Sequence, residues 1–162
     1  MALSCVGDIA LMLPVDAFLP GLVVFLLAHG CYIVAFRAGW GGGGWLLGSG
    51  VLLATVAAVN IAGLWPHLPL AMRVPVLVYV AALALMAALA LARAGARSAP
   101  PGARWAAVGA LLFVASDALL AWDRFAGGLP QASLLVLASY YAAQYGIARS
   151  VLPQRNCRVS RK

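Results

Sequence analysis

Residues 103–121 read ARWAAVGALLFVASDALLA, an apolar run whose single acid is Asp117. Coiled as a helix, such a run is long enough to cross a bilayer core of about 30 Å. A charged carboxylate inside it costs on the order of 2.5 to 3.5 kcal/mol even on the lenient insertion scale, so Asp117 needs polar company or a task. The stretch has an echo near the other end of the chain. Gly7-Asp8-Ile9-Ala10-Leu11 matches Ser116-Asp117-Ala118-Leu119-Leu120, and at the same offset of 109 positions Tyr32 falls on Tyr141. The two contexts read as a parallel repeat of a helical hairpin, and the fold class that follows is all-α, a polytopic transmembrane helix bundle.

Apolar segments recur outward from this stretch, at about 1–13, 21–36, 45–64, 74–92, 103–121 and 131–151, which makes about six helices. The last four are long enough to span; 21–36 is a little short, and 1–13 is about two-thirds of a span. Composition agrees with a membrane protein and excludes a water-soluble globule: 65% of residues are hydrophobic, 9% are charged, and the mean hydropathy is +0.99. Breakers mark the connections: Pro14 and Pro20, the glycines at 39 and 41–44, Pro66 and Pro69, Pro100-Pro101-Gly102, and Gly127-Gly128 with Pro130. The glycine run lacks the Gly-Lys-Ser/Thr of a phosphate loop and leads into Trp45, so it is a linker. With no long hydrophilic insert, the chain reads as one transmembrane helical domain, 1–151, followed by a basic cytoplasmic tail, 152–162.

The formal charge of +7 comes from eleven Lys and Arg against four Asp. These cations do not point to nucleic acid, because they lie at helix ends and in the tail without a basic helix or aromatic interleaving. Arg37, Arg93, Arg97, Arg104, Arg149, Arg155, Arg158, Arg161 and Lys162 fall on one side of the membrane and Arg73 and Arg124 on the other. The bias places the carboxyl terminus in the cytoplasm, in contact with membrane lipids, and the expected location is a bacterial plasma membrane. Cys5, Cys31 and Cys157 follow no disulfide or metal spacing. The sequence does not define an oligomeric state.

Asp8 precedes Pro14 by six positions and Asp117 precedes Trp122 by five, so both carboxylates sit roughly 8 to 9 Å inside the same, non-cytoplasmic end of their helices. Helical spacing supplies neighbours for them. Ser4 shares a face with Asp8; Phe25, His29, Tyr32 and Phe36 form one stripe; Tyr140, Tyr141 and Gln144 cluster; Asn60 and Tyr79 can complete a polar interior. The two hairpins should pack about a pseudo-twofold axis with both aspartates facing one cavity. Tryptophans 40, 45, 65, 105 and 122 fit an interfacial belt, while Arg73 and Arg124 are either interface anchors or partners for a phosphate.

No nucleophile elbow, catalytic Cys/His pair, HExxH motif, Walker loop or dinucleotide fingerprint is present. Two carboxylates remain, and a pair in an apolar setting suits acid and base chemistry because one member can keep its proton while the other ionises. Both can equally be structural, accepting hydrogen bonds that fix the bundle.

Gly7-Asp8 with Leu11, then Phe18-Leu19-Pro20-Gly21-Leu22 with Phe25, His29 and Tyr32, then Ser116-Asp117-Ala118-Leu119-Leu120-Ala121 with Arg124-Phe125, and finally Tyr141-Ala142-Ala143-Gln144, resemble the YhhN family of multipass membrane proteins, the lysoplasmalogenases. Family members generally have about eight helices, so the chain is expected to lack the first two of that pattern. The resemblance implies hydrolysis of the vinyl ether bond of a lysophospholipid substrate, the lysoplasmalogen, to a fatty aldehyde and a glycerophospho head group, without metal or cofactor. For that chemistry the carboxylate pair offers Asp8 and Asp117 as catalytic residues, with His29, Tyr32, Arg124, Tyr141 and Gln144 around the substrate. Two other readings stand beside it: a proton-coupled small-molecule transporter, which also uses repeated hairpins and intramembrane acids, and an inactive structural membrane protein.

Overall fold

The structure, a computed structural model, describes Ser4, Gly7, Asp8 and residues 18–37 and 43–151. The rest of the expected first helix, the Gly39–Gly42 linker, Cys5, Cys157 and the basic tail lie outside the described residues. Five helices follow one another: α1 (Phe18–Arg37), α2 (Gly43–Leu64), α3 (Leu70–Gly95), α4 (Ala103–Phe125) and α5 (Ala132–Val151), with a 3₁₀ turn at Trp65–His67. Ser4, Gly7 and Asp8 are also helical, and no strand occurs among the described residues. The protein is an all-α helix bundle.

Pro20, expected to bound a helix, and Pro75 both lie inside helices. Pro20 sits in the first turn of α1, where its missing N–H would have had no partner within the helix, so α1 starts at Phe18 and gains full spanning length. Pro75 lies within α3, which begins at Leu70 after Pro69. It removes a donor to the Ala71 carbonyl, a loss tolerated in membrane helices where neighbouring groups re-satisfy the backbone. Helix α4 stops where its sequence says it should: Ala126 and Gly127, the latter with φ of 72°, both donate to the Trp122 carbonyl at 2.9 and 3.0 Å.

Helices α1, α3 and α4, together with α2 and its 3₁₀ extension, are each long and apolar enough to cross a membrane. Helix α5 has 20 residues but carries Ser133, Ser139, Tyr140, Tyr141, Gln144 and Tyr145, so its length spans while its composition is mixed. The exposed side chains are those of a lipid-facing surface, with Val34, Leu47, Val59, Leu70 and Val74 all about two-thirds or more accessible. In water such a surface would aggregate.

Packing centres on α3, which lies against α1, α2 and α4, while α4 pairs closely with α5. The last contact uses small residues, as membrane helices do when no hydrophobic force separates protein from lipid. A Cβ on Gly109 would stand 2.8 Å from the Ala143 carbonyl oxygen and one on Gly146 only 3.0 Å from the Gly109 Cα, so the two backbones touch where both residues are glycine. Most of the first expected hairpin's leading segment lies outside the described residues. The backbones of α1 and α4 each pack on α3, and α1 reaches α4 and α5 through the long ring of Phe25, which meets Phe113 and Tyr140 edge-on at 6.2 and 6.0 Å.

Candidate active site

Ser116 and Asp117 occupy successive positions on α4 and therefore point about 100° apart. The Ser116 hydroxyl donates to the Val136 carbonyl of α5 at 3.0 Å, and this rotation turns Asp117 toward α3, where the Tyr79 hydroxyl donates to its Oδ2 at 2.6 Å. Asp8 is held in a matching way by α5. The Tyr140 hydroxyl donates to Asp8 Oδ2 at 2.8 Å and in turn accepts from Gln144 Nε2 at 2.9 Å, one helical turn on. Gly7, beside Asp8, makes room for α1: a Cβ there would fall 2.7 Å from the Phe25 ring. Both tyrosines are buried and both carboxylates half-buried. Short hydrogen bonds of this kind to a carboxylate are among the strong ones and fix its orientation.

Asp8 and Asp117 line one cavity of about 460 Å³. Its walls are mainly apolar, from Phe25, Leu53, Val80, Leu83 and Val136; its polar groups include the two aspartates with Tyr79, Tyr140, Tyr141, Ser116, Ser133 and, toward one end, Asn60, Trp122 and Asp123. Trp122 Nε1 donates to Asn60 Oδ1 at 3.2 Å and ties α4 to α2 at that end.

The remaining sequence-derived candidates take varied positions. His29 is wholly buried beside the cavity, edge-on to Tyr79 at 5.2 Å and to Phe113 at 5.0 Å. Neither ring nitrogen meets a partner in hydrogen-bond geometry. Tyr32 is buried, with its hydroxyl 3.5 Å from Ser4 Oγ. Gln144 reaches the carboxylates only through Tyr140. Arg124 is exposed at the end of α4, its guanidinium 5.5 Å from the ring of Phe18, a residue of the cavity wall. Tyr141 lines the cavity from its rim, 62% exposed, with its ring against Tyr140. Tyr79 and Tyr140, the direct donors to the carboxylates, were visible in the sequence only as polar residues on apolar helices; the signal that singles them out is contact across 38 and 132 positions, which only the fold supplies.

Together these features define a multipass helical membrane protein with two tyrosine-held carboxylates on an apolar cavity. The chain belongs to the YhhN family, whose sequence model matches residues 1–151. It is 38% identical over 151 residues to lysoplasmalogenase TMEM86B of Homo sapiens, covering 92% of this chain and 60% of the relative. Lysoplasmalogenase TMEM86B of Sus scrofa is 41% identical, with 91% of this chain and 59% of the relative covered. A lysoplasmalogenase of Mycobacterium tuberculosis is 34% identical over 152 residues, 89% of this chain and 55% of the relative. The chain thus spans about 60% of the length of these relatives. No solved structure matches it.

Proposed function

We propose that the protein hydrolyses the vinyl ether bond of lysoplasmalogens within the membrane, releasing a fatty aldehyde and a glycerophospho head group such as glycerophosphoethanolamine. The observation that carries this reading is the convergence of Asp8 and Asp117 on one largely apolar cavity, each carboxylate fixed by a tyrosine hydroxyl. The names of the relatives support it.

The reaction needs a proton delivered to carbon and water delivered to the cation that results. One carboxyl, protonated, gives its proton to the vinyl carbon remote from the ether oxygen, and the π electrons leave an oxocarbenium ion between the other carbon and oxygen. The ionised partner stabilises that cation and takes a proton from water as it adds, giving a hemiacetal. Collapse returns one proton to each side: the hemiacetal hydroxyl reprotonates the first carboxylate, and the second carboxyl protonates the departing glyceryl oxygen. Both groups end as they began, and no other nucleophile is required. Tyr79 and Tyr140 hold the carboxylates in place, and His29 orients Tyr79 through its ring.

At the Trp122 end of the cavity, Arg124 beside Phe18 is placed to meet the head-group phosphate, with Tyr32, Tyr141 and Gln144 shaping the surroundings of the carboxylates. Residues 1–151 form a single transmembrane domain in this reading, and the basic residues of 152–162 lie at anionic headgroups on the cytoplasmic face of a bacterial plasma membrane. The test is direct. Purified protein in detergent, given a lysoplasmalogen and its ester analogue, should release aldehyde from the first and leave the second intact; equal cleavage of both would refute the proposal.

A further inference from the structure

Helices α2 and α3 are fastened to each other at two levels. At one level the Ser49 hydroxyl of α2 donates to the Ala88 carbonyl of α3 at 3.0 Å. At the other, Leu64, Leu68 and Val76 form a small buried cluster. Between these levels the facing residues are Ala57, Ile61, Val80 and Ala84, two of them alanines, and these same four residues border both the carboxylate cavity and a second, wholly apolar groove of about 540 Å³ on the α2–α3 face. Leu46 and Leu85 extend that groove along the bundle, and the neighbouring Val51, Leu52 and Val59 are exposed.

We infer that the α2–α3 seam holds the hydrocarbon chain of a single-chain lipid, passing it from the carboxylate cavity into the apolar groove. The inference rests on the proposed hydrolase reading for the identity of the lipid, and on the order of groups along the bundle for its direction. Trp122, Asn60, Val76 and Leu64 lie toward the level of Arg124; Asp117 and Tyr79 come next; Leu53, Ala57, Leu83 and Ala84 follow about one to two turns further along their helices. A lipid set into this sequence has its phosphate at the arginine end, its vinyl ether at the carboxylates and its chain at the alanines. No polar side chain lines the groove, so a hydrocarbon chain satisfies it and a head group does not. The small side chains at the seam make it a determinant of chain length: a bulky residue at Ala84 would close the passage while leaving the carboxylates in place.

The experiment uses the full chain in detergent with a lysophosphatidylethanolamine analogue whose chain is joined by a saturated, uncleavable ether and ends in a diazirine. After illumination, label should concentrate in peptides covering 46–61 and 77–88, and Ala84→Phe should lower that labelling and the kcat/KM for long-chain lysoplasmalogens about tenfold or more, with short-chain substrates much less affected. Label concentrated on α1 or α5, or spread over all helices like that from a diacyl probe, would overturn the inference, as would an Ala84→Phe loss independent of chain length. Localised label without any vinyl ether cleavage would uphold the chain site and refute the hydrolase reading; cleavage with label elsewhere would do the reverse.

Discussion

Tyr79 and Tyr140 donate to the two aspartates, and a carboxylate in an apolar wall has few other donors available. The Asp8→Asn and Asp117→Asn variants keep shape and can still accept a hydrogen bond, but cannot exchange a proton. Each should lose vinyl ether hydrolysis by about 10²- to 10⁴-fold or more while inserting and expressing normally, as aldehyde release per mole of purified protein would show. Tyr79→Phe removes one donor and should cost about 10²- to 10³-fold, mostly in kcat; an effect confined to KM would argue against its role in holding Asp117. The aspartates were legible in the sequence because a charge in a spanning run cannot be ignored. Their partners were legible only as members of polar groups, Tyr79 with Asn60 and Tyr140 with Tyr141 and Gln144: the repeat offset drew attention to Tyr141, whereas the helix turns its neighbour Tyr140 to Asp8 and leaves Tyr141 at the rim. One residue along a helix is a turn of about 100°, and only the rotation set by packing decides which of two adjacent tyrosines points inward.

At the scale of the elements, the α4–α5 crossing carries the site, since it fixes Ser116 to α5 and thereby aims Asp117 at α3. Replacing Gly109 by Leu would drive a side chain into the Ala143 carbonyl and Ile147, and should destabilise the bundle by about 1 to 3 kcal/mol, read as an earlier unfolding transition on titration with a denaturing detergent. Gly30, whose Cβ would meet nothing within 4 Å, provides the comparison: Gly30→Ala should leave that transition in place. The positions of the helices were readable from apolar runs of spanning length. Their ends were less so, because Pro20 looks like a breaker in the sequence but is accommodated in the first turn of α1, where it has no donor to lose. Glycines 109 and 146, 37 positions apart, gave no sign of touching, as a contact between two bare backbones leaves no trace in hydrophobic periodicity.

For the whole molecule, the charge bias predicts that a cysteine placed at Gly128 in intact cells, with the native cysteines replaced, reacts with a membrane-impermeant reagent, whereas one at Ser98 does not; the opposite pattern would invert the proposed topology. Addition of a solvent-derived proton to carbon is what distinguishes acid-assisted vinyl ether cleavage from attack of water on an ester and from mere transport of a lipid. The most direct measurement is therefore the reaction of the purified protein with a lysoplasmalogen in heavy water, quenched early with the aldehyde trapped and weighed by mass spectrometry. The aldehyde should carry one deuterium at the carbon next to the aldehyde group, formed at a rate slower than in ordinary water and lost with Asp8→Asn or Asp117→Asn. Aldehyde without that deuterium, or full activity in both variants, would contradict acid-assisted cleavage by the aspartates.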